Sequence, residues 1–128
     1  MLDDGQPGGA GDVKIDENRV HGNNKFCPAA EGAPPLSGGG IVLVGVVRTR
    51  ITDNQVNDNS SGGTLASGGI VLISAALTGG ADESHNTVAD NDLHRNQRAD
   101  IVWDGSGTDN RFIDNDCASS IPPGLCHP

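Results

Sequence analysis

Five side chains sit where their chemistry could be put to use, each at a fixed offset from a recurring acidic-Asn step. The steps are Glu17-Asn18, Asp53-Asn54, Asp90-Asn91 and Asp114-Asn115. Four residues before each Asn come Lys14, Arg50, Thr87 and Arg111; three residues after it come His21, Asn57, His94 and Ala118. An imidazole exchanges a proton near neutral pH, and a guanidinium or ammonium neutralises a carboxylate. Lys14, Arg50 and Arg111 thus form a broken basic column suited to holding an acidic polysaccharide. With His21 and His94 they are the candidates for catalysis by proton abstraction beside a carboxylate. The plainer account makes all five solvated side chains that relieve an acidic surface. The acidic members of the step, Glu17, Asp53, Asp90 and Asp114, are candidate Ca²⁺ ligands together with nearby carbonyl oxygens. Otherwise they are a solvated edge whose mutual repulsion is screened by salt. No other metal or cofactor is called for.

The elements that must position these residues are written in the same register. Three residues before each Asn come Ile15, Ile51, Val88 and Phe112; two after it come Val20, Val56, Leu93 and Cys117. Five after it come Asn23, Asn59, Asn96 and Ser120. The apolar runs "GGIVLVG" (39–45), "GGIVLIS" (68–74) and "ADIVWDG" (99–105) each precede a step. Their apolar residues alternate, which fits the strand period of two and not the 3.6 of a helix. The steps are spaced by 36, 37 and 24 residues, and the longer intervals hold turn-rich insertions at 25–38, 60–67 and 75–84. A unit near 24 residues with three short strands predicts a parallel β-solenoid of about four coils. Stacked coils lie about 4.8 Å apart, so equivalent residues form columns. The apolar columns face inward, Trp103 shares the inward column of Leu43 and Leu72, and Asn18, Asn54, Asn91 and Asn115 form an amide ladder at a turn that needs left-handed dihedrals. His21 and His94 then lie two coils apart, about 10 Å, too far to share one metal.

The "GIVL" strands and "ITDNQVNDN"-type turns resemble right-handed parallel β-helix repeat proteins, the group of pectate-lyase-like, mannuronan-epimerase-like and NosD-like chains. The ending "NRFIDNDCASSIPPGLC" (110–126) resembles the C-terminal coils of secreted bacterial members, and the resemblance covers about residues 13–126. It implies the fold, and it implies lyase or epimerase chemistry on acidic polysaccharide as one activity found there. The epimerase motif Asp-Pro-x-His and the His/Met cluster of a copper site are both missing.

Composition sets outer limits. The chain has 128 residues, 8 Lys+Arg against 17 Asp+Glu, and a net charge of −9, which speaks against nucleic acid or an anionic membrane as partner. There are 19 glycines and no Tyr, so a large aromatic core is excluded. The longest mostly apolar run, "IVLVGVV" (41–47), is too short to span a bilayer. The first residues do not read as a signal peptide; an extracellular location therefore implies a mature form or a fragment. Of the three cysteines, Cys117 and Cys126 flank "ASSIPPGL". A disulfide closing that loop would contribute about 2–3 kcal/mol and would fit an oxidising compartment; the alternative is two reduced, half-buried thiols. Cys27 is then free or paired with another chain. The expected organisation is a flexible segment over 1–12, a β-helix over 13–116 and a C-terminal cap over 117–128. Three functions are open: a non-catalytic secreted module acting as surface scaffold or glycan-binding element, a polysaccharide lyase or uronate epimerase, and a structural protein that self-associates end to end through its N-terminal coil edge.

Overall fold

A computed structural model describes residues 10–25, 28, 38–60, 67–76 and 79–126. Cys27, His127, and most of the 25–38 and 60–67 insertions lie outside the described residues. The first coil carries β1 (Ala10–Gly11), β2 (Lys14–Asp16) and β3 (Arg19–His21). The second carries β4 (Gly39–Val44), β5 (Val46–Val47), β6 (Arg50–Thr52) and β7 (Gln55–Asn57), and the third β8 (Gly68–Ile73), β9 (Thr87–Ala89) and β10 (Asp92–His94). The fourth carries β11 (Ile101–Trp103), β12 (Arg111–Ile113) and β13 (Asp116–Cys117), after which β14 (Ser120–Ile121) opens a further turn.

Every strand pairs with its counterpart one coil away, in parallel. The first sheet runs β2-β6-β9-β12, the second β3-β7-β10-β13 and the third β4-β8-β11-β14, with a narrow ribbon β1-β5 at one corner. The chain is therefore a short parallel β-helix of about four coils. The register is that of the repeat: Ile15 pairs with Ile51, Ile51 with Val88 and Val88 with Phe112. Val20, Val56, Leu93 and Cys117 make the matching column of the second sheet.

These columns fill the interior. Ile41, Leu43, Val46, Ile51, Val56, Ile70, Leu72, Val88, Leu93 and Ile101 form one buried cluster, closed at its ends by half-buried Ile15, Val20, Phe112, Cys117 and Leu125. Trp103 lies in register with Leu72 and packs against this cluster, its ring 5.6 Å from that of Phe112. Its indole N–H donates to Ser106 O at 2.9 Å, so the buried edge of the ring keeps a partner. The third sheet departs from simple alternation. Val71, Ile73, Ala99 and Val102 form a second buried cluster on its outer face, and β8 is buried along its whole length. A strand covered on both sides reads as the continuous run "GGIVLI" rather than as apolar-polar alternation.

The corners follow one rule. A residue at positive φ turns the chain, and the next residue joins a ladder. Glu17, Asp53, Asp90 and Asp114 turn at φ 54°, 57°, 56° and 52° between the first and second sheets. The expectation that the asparagines take the left-handed conformation is thus corrected by one position. The acidic residue turns, and Asn54, Asn91 and Asn115 stay buried to bond between coils. Asn18 Nδ2 and its backbone N–H both donate to Asn54 Oδ1, at 3.0 and 2.9 Å. Asn54 repeats this onto Asn91, and Asn91 onto Asn115. A second ladder, Asn23-Asn59-Asn96, runs down the next corner, and a third joins Thr49, Asn86 and Asn110.

Two boundaries shift. Ala10–Gly11 pair with Val46–Val47, so the first coil takes in residues that the sequence assigned to a flexible segment. Ser120, expected beneath Asn96, instead pairs with Ile101 in the third sheet. The last coil has no insertion to span, and Asp100 takes the ladder position. Its Oδ1 accepts from Asn96 N and Nδ2, and its Oδ2 accepts from the N–H groups of Ala118 and Ser119. The Cys117–Cys126 disulfide closes the end of the stack.

Candidate functional sites on the outer faces

The first sheet presents the basic column. Lys14 pairs with Arg50, Arg50 with Thr87 and Thr87 with Arg111, so the four residues lie in a line along the helix axis. Lys14, Arg50 and Arg111 are exposed, because the inward Ile15, Ile51 and Phe112 next to them turn the alternate positions out. Lys14 forms an ion pair with Asp16 at 3.0 Å. Asp16 also accepts from Thr52 Oγ1 at 2.8 Å, and these contacts, the threonine first, hold its carboxyl below the usual range. Among the described residues no carboxylate comes within ion-pairing distance of Arg50 or Arg111. Arg111 borders a shallow hollow lined by His85, Thr87, Asp109 and Asn110, with His85 Nε2 3.3 Å from Asp109. The column can therefore meet carboxylates of an extended polyanion at two points, Arg50 and Arg111, two coils apart with Thr87 between them.

The second sheet presents a group that scanning single columns misses. Leu93 points inward, which turns both Asp92 and His94 outward on β10. Asp116 of β13 lies in register with Asp92, one coil further on. One ligating atom from each of Asp92, His94 and Asp116 lies within 4.8 Å of the other two. His94 Nε2 pairs with Asp92 Oδ1 at 2.6 Å, and both side chains are half exposed. His21 occupies the same column as His94 with Asn57 between them, so the two histidines are apart, as the repeat requires. The signal was present in the repeat: positions one and three after the Asn share an outward face, and both are ligating types in the third coil.

The acidic corner column is exposed, and Glu17, Asp53, Asp90 and Asp114 do not bring three oxygens within 4.8 Å of each other among the described residues. Elsewhere the turning residues of neighbouring coils carry opposite charge. Arg48 bonds Asp12 through Nε and Nη2 at 2.8 and 3.0 Å, and Arg95 bonds Asp58 in the same fashion at 2.6 and 3.0 Å. Each arginine holds its aspartate below the ordinary carboxylate range.

A buried carboxyl, Glu83, lies outside the repeat. It is fully buried; among the described residues its Oε1 has no hydrogen-bond partner, and its Oε2 contacts Ser106 Oγ. The same hydroxyl lies 2.5 Å from Asp104 Oδ1. Burial pushes the Glu83 carboxyl up, with a smaller push from the Asp104 charge, against the hydrogen bond from Ser106. Comparison with protein-family models, curated proteins and solved structures found no match to the chain.

Proposed function

We propose that the chain is a non-catalytic extracellular β-helix module, of the pectate-lyase-like kind by its repeat, that holds an acidic polysaccharide along its first sheet. The observation that carries this reading is the alignment of Arg50 and Arg111 in one exposed column, with no carboxylate within ion-pairing distance among the described residues, on a molecule whose net charge is −9. Two cations set two coils apart along one axis suit an extended polymer that carries several carboxylates. Charge-assisted bonds from guanidinium to carboxylate are the strong, oriented kind. A second reading, proton abstraction beside a uronate carboxylate, is supported by the contact between His94 and Asp92, which could orient the imidazole.

Affinity electrophoresis separates the two. Migration should be retarded in gels containing polygalacturonate or alginate and unchanged in neutral dextran. The double variant Arg50→Ala/Arg111→Ala should lose the retardation, and added salt should weaken it in the parent. No unsaturated product should absorb in the ultraviolet. Equal migration of parent and variant through the anionic gels removes the binding reading; product formation that depends on His94 replaces it with the enzymatic one.

A further inference from the structure

We propose that Asp92, His94 and Asp116 form a binding site for a first-row divalent transition-metal ion of the zinc class on the outer face of the second sheet. The three donors are delivered by backbone that cannot easily drift. Asp92 N donates to Asn54 O at 2.9 Å and Asp116 N donates to Asn91 O at 2.8 Å, so both strands are fastened to the coil before them. Beneath the site Leu93 is fully buried, and the neighbour of Asp116, Cys117, is fixed by its disulfide to Cys126. The site is thus a rigid patch with its ligating atoms within 4.8 Å of each other.

Charge balance is the independent observation. Asp92 and Asp116 are stacked carboxylates in neighbouring coils, and neither has a Lys or Arg ion-pair partner among the described residues. Arg95, the cation adjacent to His94 in sequence, is committed to Asp58 through two bonds. The other neighbours on this face are neutral, Gln55 beside Asp92 and Asn57 beside His94. The Asp92 carboxylate has only the imidazole at 2.6 Å for a partner among the described residues, and the two side chains stay 48% and 40% exposed, so both are open to an ion from solvent. One cation between Asp92 Oδ1, His94 Nε2 and an Asp116 oxygen would take a lone pair from the imidazole nitrogen and neutralise both carboxylates.

The donor set chooses the ion. Ca²⁺ takes six to eight oxygens, whereas one imidazole nitrogen with two carboxylate oxygens suits Zn²⁺ and its first-row neighbours. Zinc bonds of about 2.0–2.2 Å put tetrahedral donors roughly 3.4 Å apart. The present 2.6 Å separation would have to widen by under an ångström, which rotation of two half-exposed side chains can supply. A fourth position would stay open to water.

The test uses untagged, chelator-washed protein titrated with Co²⁺ and with Zn²⁺, followed by visible absorption and by calorimetry. The parent should bind one equivalent saturably, develop Co²⁺ d–d bands that Zn²⁺ displaces, and show no comparable heat with Ca²⁺. His94→Ala and Asp116→Asn should each weaken binding at least tenfold while keeping the parent circular dichroism; His21→Ala should bind as the parent does. Absence of saturable binding, binding untouched by the His94 and Asp116 substitutions, or preference for Ca²⁺ would each overturn the site.

Discussion

At the scale of single residues, the asparagines decide whether coils stay in register. Asn54 is almost fully buried and uses its whole amide. Oδ1 accepts twice from Asn18, and Nδ2 donates to Ile15 O and to Asn91 Oδ1, each at 3.0 Å. Replacement by aspartate keeps the shape and removes both donors. A carboxylate oxygen would then face Asn91 Oδ1, and Ile15 O would lose its partner. Asn54→Asp should therefore lower stability by about 3 kcal/mol or more at neutral pH, and less at a pH where the new carboxyl is protonated. Chemical denaturation at both pH values reads the difference; equal loss at both would assign the ladder a smaller role. The ladder itself was legible, since one acidic-Asn step per coil at constant offsets admits little else. The turning residue was misplaced by one position because Asp and Asn both tolerate left-handed dihedrals, and sequence alone does not say which of two neighbours uses them.

At the scale of elements, the close approach of a strand to the ladder beside it explains the paired glycines that open β4 and β8. A Cβ on Gly69 would lie 2.3 Å from Asp100 O and 2.8 Å from Asn96 Nδ2. The Asn96 corner and β8 can meet only if that position carries no side chain. Gly69→Ala should cost about 1–3 kcal/mol, the penalty of forcing atoms into a packed interior. A midpoint of urea unfolding unchanged from the parent would show that the corner yields freely. The strands and their inward columns were plain in the sequence because the period of two recurs in coil after coil. The outer cluster of Val71, Ile73 and Val102 was not, since a fully apolar run does not say what covers its second face. The grouping of Asp92, His94 and Asp116 was also in the repeat, but only in two columns taken together, and Glu83 was hidden because it falls in an insertion that no other coil copies.

At the scale of the whole molecule, stability rests on stacked neighbours, and two sets of ionisable groups act on it in opposite directions. Glu83 is buried, and that burial raises its carboxyl above the ordinary range. One serine hydroxyl proton cannot satisfy the two carboxylates on Ser106, which works in the same direction. A raised carboxyl contributes stability that is complete below its unfolded value, near 4.5, and is lost as pH rises through the folded value. The exposed pairs of Asp12 and Asp58 with arginine work the other way, being present above the ordinary aspartate range and lost in acid. Thermal midpoints should therefore decline on the alkaline side, and Glu83→Gln should flatten that decline while leaving the acid limb intact. A variant with the same alkaline slope as the parent would place the proton elsewhere.

The asparagine ladders also give the molecule a direction. In every rung the donors belong to the earlier coil and the oxygen to the later one, so the amide dipoles add along the axis. Asn18 and Asn23 spend their amide N–H groups on the second coil, which leaves their oxygens as the ladders' first acceptors, at an end chemically unlike the one sealed by the disulfide. Two copies meeting first coil to first coil would set oxygen against oxygen, while a front-to-back queue would meet the disulfide-closed cap.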